Sequence, residues 1–198
     1  MRRYAMLFLL LSSCAMTKKA EVNLDRDFPH HEIQKIAVLM FETTWQNKSK
    51  TKLAFSKSIV NPNAGIVLTK IISKELAKWG RYVVLDRRAL EEGLKLMNLN
   101  NKDFLQKGDY LNLGKSLGID AIVICRIERF GISYRSLLSG SFVSLTAKVS
   151  FHVNCIDIIT NKTIWSIRID GSSKKDDEKI LASKLVAKAF ATLNAQIK

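Results

Sequence analysis

One run near the C-terminal third constrains the fold of this chain most. Leu145, Ala147, Val149, Phe151, Val153 and Cys155 alternate with Thr146, Lys148, Ser150, His152 and Asn154. A period of two, with one apolar and one polar parity, is the pattern of a strand whose one face packs on a core while the other meets water. Asn161-Lys162 marks a turn, after which Thr163, Trp165, Ile167 and Ile169 resume the alternation. Two such strands joined by a short turn predict an antiparallel pair.

The preceding residues alternate between strand and helix signals. Lys35 to Phe41 holds Ile36, Ala37, Val38, Leu39 and Met40 in succession, which predicts a strand buried on both faces. Glu42 to Asn63 reads as a polar connection of about twenty residues, long enough to be either functional or mobile. A helix follows, with Asn63 as N-cap, a stripe of Ile66, Val67, Ile71, Ile72 and Leu76, and Gly80 at the C′ position. Tyr82 to Leu85 is a short strand. Asp86 then caps a second helix carrying Leu90, Leu94 and Met97. A third helix runs from about Asp109 to Leu117 and ends at Gly118, leading into a strand over Ala121 to Ile127. The chain closes with a helix from about Asp176 to Ile197, whose first acids suit the positive end of its dipole. This order predicts an α/β fold, a mixed β-sheet flanked by helices with an antiparallel C-terminal strand pair.

The first residues are of another kind. Arg2 and Arg3 precede an apolar run from Ala5 to Leu11, and Leu11-Ser12-Ser13-Cys14 fits a lipobox of one aliphatic residue, two small ones and a cysteine. The run is far shorter than the roughly 20 residues needed to cross a bilayer as a helix, so it reads as the apolar core of an export signal. Residues 1–13 are therefore expected to be a signal peptide and Cys14 the site of lipidation. Residues 14–33, polar and without sustained period, are expected to form the anchored tether, and residues 34–198 a single domain. Ala15 after the cysteine, in place of Asp, resembles the outer-membrane sorting pattern of enterobacterial lipoproteins.

Export changes the meaning of the charge. The chain has 32 basic and 18 acidic side chains, and loss of Arg2 and Arg3 lowers the formal charge from +14 to +12. A basic protein outside the cytoplasm does not meet nucleic acid, which leaves anionic lipid heads, acidic glycan or an acidic protein face, against the plainer reading of a solvated basic surface. Once Cys14 carries acyl groups, Cys125 and Cys155 remain, both in strand-like apolar segments. An oxidising compartment permits a disulfide between them, while buried free thiols are equally ordinary.

The chain offers little reactive chemistry. His30, His31 and His152 are its histidines, and none has a second histidine or cysteine at a ligand spacing. Phosphate-binding glycine loops, nucleophile elbows and paired nucleophile and base are not recognisable. Asp176-Asp177-Glu178 reads as a helix cap and not as catalytic carboxylates. A non-enzymatic protein without cofactor or metal is expected.

Trp45, in the long polar connection, is a candidate partner contact, with folding back onto the core as its alternative. Trp79 and Trp165 are expected in the core. Phe130, Ile132, Tyr134 and Leu138 share one parity before Ser139-Gly140, and Val143 and Leu145 follow. These residues predict a hairpin. Its arms barely reach the roughly 9–11 residues of a membrane strand and are interrupted by Arg135 and serines, so an exposed hairpin with Ile132, Tyr134 and Leu138 as partner contacts is favoured.

The order of segments also resembles a known family. Lys35-Ile36-Ala37-Val38-Leu39 with Phe41 precedes a helix with Leu68 and Leu76, then Arg81-Tyr82-Val83-Val84-Leu85-Asp86-Arg87. Leu113-Gly114-Lys115-Ser116-Leu117-Gly118-Ile119-Asp120-Ala121 comes next, and Ile156 to Ser166 after it. Together these resemble the CsgG-like lipoproteins of the curli secretion channel, related to the TolB N-terminal domain and to lipoprotein activators of penicillin-binding proteins. The resemblance implies an outer-membrane lipoprotein facing the periplasm, which binds an envelope protein partner and assists a secretion apparatus, a surface organelle or a cell-wall synthase. Its alternative is a subunit of a homo-oligomeric secretion channel, though only residues 130–146 offer a membrane hairpin. Replacing Cys14 with Ser is expected to move the protein from the membrane to the soluble fraction on cell fractionation. Retention of Cys14→Ser on the membrane would overturn the lipobox reading.

Overall fold

The computed structural model describes residues 18–39, 42–43, 56–96, 110–136 and 142–197. Among these, eight strands form a single mixed sheet: β1 (Lys18–Leu24), β2 (Lys35–Val38), β3 (Glu42–Thr43), β4 (Ser56–Val60), β5 (Val83–Val84), β6 (Ala121–Ser136), β7 (Phe142–Asp157) and β8 (Thr163–Ser173). The order across the sheet is β1-β8-β7-β6-β2-β5, with β3 and β4 added to β6. Four helices accompany it among the described residues: α1 (Ala64–Trp79), α2 (Arg87–Leu96), α3 (Tyr110–Leu117) and α4 (Glu178–Gln196). The expected α/β class, a mixed sheet flanked by helices, is what the chain adopts, and β7 and β8 are antiparallel as their alternation requires.

Apolar parity sends the two faces of the sheet to different helix pairs. Val149, Phe151 and Val153 of β7 and Trp165, Ile167 and Ile169 of β8 pack with Leu68, Ile72 and Leu76 of α1 and Leu181, Leu185, Ala189 and Leu193 of α4. In both helices these positions recur every four residues, a spacing that puts them on one side. On the other face, Ala37, Leu39, Ile122 and Ile156 meet Leu90 and Leu94 of α2 and Ile119. Strand β2 and the residue after it contribute to both cores, Ile36 and Val38 to one and Ala37 and Leu39 to the other, so the unbroken apolar run is explained. Trp165 is buried, and Phe190 stacks edge-on between it and Trp79 at 5.8 Å from each. Cys125 and Cys155 are free thiols; burial, then the charge of Asp157, pushes Cys155 well above the ordinary thiol range.

Helix ends follow the sequence signals with one exchange of roles. Gly80 takes φ of 69° after α1, and its N–H donates to the carbonyl of Leu76. Asn63 stands at the N-cap of α1 without a side-chain cap bond, and Asn61 Oδ1 accepts from the Asn63 N–H at 2.9 Å instead. Asp86 Oδ1 accepts from the Arg88 N–H at 2.7 Å, and Asp177 Oδ1 from the Ile180 N–H at 2.7 Å, each capping the helix it precedes.

Two expected connections are partly strand. The segment expected as tether, residues 14–33, contributes β1, which pairs antiparallel with β8 from Lys18↔Gly171 to Leu24↔Trp165. Ala20, Val22 and Leu24 alternate with Lys19, Glu21 and Asn23, and the apolar set packs on the larger core. The signal is present but charged neighbours mask it, as is common for an edge strand. The sheet thus begins well before residue 34. The expected connection Glu42–Asn63 supplies β3 and β4, and β4 lies antiparallel on β6 from Ser56↔Arg135 to Val60↔Gly131. Its polar residues show no alternation because the strand has little core to bury.

Gly131 makes that pairing possible. A Cβ there would lie 2.0 Å from the carbonyl oxygen of Ile59, a backbone atom that cannot move aside. Gly131→Ala is therefore expected to pry β4 from β6 at a cost of about 1–3 kcal/mol, the range for overpacking. Amide exchange should quicken at Ile59 and Val60 while β7 and β8 stay protected. Unchanged exchange in β4 would show that the close approach is not a constraint.

Candidate interaction surface

Strand β6 pairs with β7 from Ala121↔Asp157 to Ser136↔Phe142, but the register shifts between Ile127 and Arg129. Glu128 is the extra residue of this bulge, and its carboxylate accepts from the Ser150 hydroxyl at 2.8 Å. A one-residue insertion reverses which parity faces the core. Before it, Ala121, Val123 and Ile127 face α1 and α4; beyond it, Phe130 does. The even-numbered Ile132 and Tyr134 therefore continue this apolar face outward.

Burial falls along that face. Phe130 is enclosed, Ile132 and Tyr134 are half-buried, and their cross-strand neighbours Ile59 and Leu145 are 60% and 51% exposed. Strands β4, β6 and β7 thus form a three-stranded extension with an uncovered apolar side, larger than the two-stranded hairpin expected. The groove between β4 and β6, lined by Ile59, Phe130, Ile132, Arg129 and Lys148, encloses only about 10 Å³. That is below the roughly 300–1,000 Å³ of small-molecule sites, so the shape suits contact with a larger surface. The structure brings Ile132 and Tyr134 together as the sequence indicated. Trp45 and Leu138 lie outside the described residues. Ile59 was missed because a single isoleucine in a polar stretch carries no period.

The opposite face of the same strands is polar. Arg126, His152, Arg168 and Glu21 stand side by side across β6, β7, β8 and β1. His152 lies there half-buried, as the alternation required. His30 is elsewhere, its Nε2 2.6 Å from the carbonyl of Asp25. Among the described residues no three metal-ligating side chains converge, and no helix is long and apolar enough to cross a membrane.

Comparison with known proteins follows this architecture. PelC from Paraburkholderia phytofirmans, crystallised as a dodecamer, superposes with a TM-score of 0.54 at 14% identity, over 90% of this chain and 99% of that one. Lipoprotein GNA1162 from Neisseria meningitidis gives 0.55 at 18% identity, over 82% and 99%. The C-terminal domain of LpoB from Salmonella enterica gives 0.43 at 12% identity, over 71% and 82%. The first two share the fold. No curated sequence matches. The family model that matches, over residues 48–198, is the GNA1162-like lipoprotein model and not the CsgG-like one that the segment order resembles. This chain belongs to the GNA1162-like lipoprotein family.

Proposed function

We propose that the protein is an outer-membrane lipoprotein, anchored through Cys14 with its domain in the periplasm, that binds and assists an envelope assembly by protein contact. On this reading it is not an enzyme and uses no cofactor. The assembly is a secretion apparatus, a surface organelle or a cell-wall synthase. The observation that carries the proposal is the uncovered apolar side of β4, β6 and β7, in a chain of a lipoprotein family. Water-exposed isoleucine and leucine on a three-stranded platform favour burial against a partner, by about 25 cal/mol per Å² of apolar area covered. Ile132 and Tyr134 supply the half-buried base of this surface, and Ile59 and Leu145 its rim.

A second reading, a homo-oligomeric channel subunit, is favoured by the dodecameric crystals of PelC, which has the same fold. Against it, β4 already occupies the outer edge of β6 from Gly131 to Arg135, the edge that a membrane hairpin would offer to its neighbour in a closed barrel.

Photo-crosslinking groups at Ile59 and Leu145 in the native envelope are expected to give adducts with envelope proteins. A group at Ile159, 77% exposed at the other end of β7, should not give them. With the group kept at Ile59, Leu145→Ser should weaken its adducts while changing stability by no more than about 0.5 kcal/mol, because the Leu145 side chain is already exposed. Equal adducts from Ile159, or none at all, would overturn the proposed surface. Adducts between copies of the chain, with a large ring in detergent extracts, would establish the second reading instead.

A further inference from the structure

Covalent connectivity fixes which end of the domain meets the membrane, given the anchored reading above. Only Ala15, Met16 and Thr17 separate Cys14 from Lys18, the first residue of β1. Four backbone steps span at most about 14 Å. A lipid on Cys14 therefore holds the start of β1 at the bilayer surface whatever shape those residues take.

The register identifies what else lies at that end. Lys18 is opposite Gly171, so the end of β8, the following Lys174 and Lys175, and the first turn of α4 with Lys179 share the corner. Lys18, Lys174, Lys175 and Lys179 are all exposed. Asp170, opposite Lys19, is exposed, while the acids that follow β8 are engaged within the domain. Asp176 accepts from Lys184 at 2.6 Å and from the Ser173 hydroxyl at 3.2 Å. Those contacts, with Lys18 nearby, hold its carboxyl below the ordinary range. Asp177 caps α4, and Glu178 is buried and accepts from Asn61 Nδ2 at 2.9 Å. Glu21 is paired with Lys19.

We infer that this corner is a second, electrostatic attachment in which Lys18, Lys174, Lys175 and Lys179 rest on anionic phospholipid headgroups beside the acyl anchor. One-point tethering would leave the domain free to tumble; four cations next to the tether select one orientation. Lys18, Gly171, Val149 and Phe130 stand opposite one another across β1, β8, β7 and β6, so the apolar extension leaves from this same end and is held within reach of a membrane-bound partner.

The test uses the full lipidated protein in vesicles of pure phosphatidylcholine and of an equimolar mixture with phosphatidylglycerol, reading amine labelling at each lysine by mass spectrometry. Lys18, Lys174, Lys175 and Lys179 should each label about fivefold more slowly on the anionic vesicles, equivalent to the ~1 kcal/mol an anionic surface gives per lysine. Lys78 and Lys162, at the far ends of α1 and β8, should not change, since β8 alone spans about 34 Å and screening acts within about 8 Å. Molar salt should abolish the difference, and Lys174→Glu with Lys175→Glu should abolish it at Lys18 and Lys179 while the acyl anchor still floats with the vesicles. Equal labelling on both vesicles overturns the inference, as does salt-resistant protection on both, which would mean that protein covers the corner. Failure of the unsubstituted protein to float overturns the Cys14 reading and this inference with it.

Discussion

The bulge at Glu128 decides more of this molecule than any other single interaction. Strand β6 carries β7 along one edge and β2, β3 and β4 in succession along the other, so every strand of the sheet is placed directly or indirectly against it. Without the extra residue, the parity that buries Val123 and Ile127 would continue through Arg129, Gly131 and Ser133, putting a cation toward the α1 and α4 core. With it, Phe130 closes that core and Ile132 and Tyr134 carry the apolar side past the last helical cover. The Ser150 hydroxyl, donating to the Glu128 carboxylate, ties the inserted residue to the neighbouring strand. A bulge that re-aims side chains beside a binding surface is a recurrent use of this irregularity.

The two ends of the domain are chemically unlike. At the end where α1 and α4 begin, lysines surround acids that are already committed to caps, an ion pair and a buried hydrogen bond. The apolar extension leaves from the same end. The opposite end holds the Asn161 turn, with φ of 56°, and the helix C-termini, where Gly80 and Ile197 close the last turns. Capping explains the asymmetry. Acids are stabilised at helix N-termini by the dipole and by free N–H groups, so Asp177 and Glu178 are taken up at the start of α4, and nearby lysines are left to face outward.

Much of the fold was legible because burial imposes a period. The alternation of β7 and β8 and the unbroken run of β2 each mark how many faces of a strand are covered; the α1 stripe is buried at Ile72 and Leu76, whereas Ile66 is exposed and Leu68 is buried. What escaped notice were elements that bury little: β1, with charged residues on its outer parity, and β4, which pairs through its backbone and shows no apolar period. Strand pairing by main-chain hydrogen bonds leaves almost no trace in side-chain identity, and edge strands carry charge for their own reasons. The CsgG-like resemblance had the same limit. It rested on short apolar segments in a shared order, which a common fold produces across families.

For the surface itself, Ile132 and Tyr134 could be read from parity, since alternation survives the bulge when counting starts beyond it. Ile59 and Leu145 became part of one patch only through cross-strand register, which joins residues distant in sequence. The sequence by itself determined the class of the fold and the period of its core elements, because these depend on neighbours along the chain. Tertiary structure alone decided that β4 covers the edge of β6, that the bulge turns the extension's apolar side outward, and that four lysines from three segments share one corner. Those facts depend on register between strands, and register is set by packing across the sheet and not by any one strand's residues.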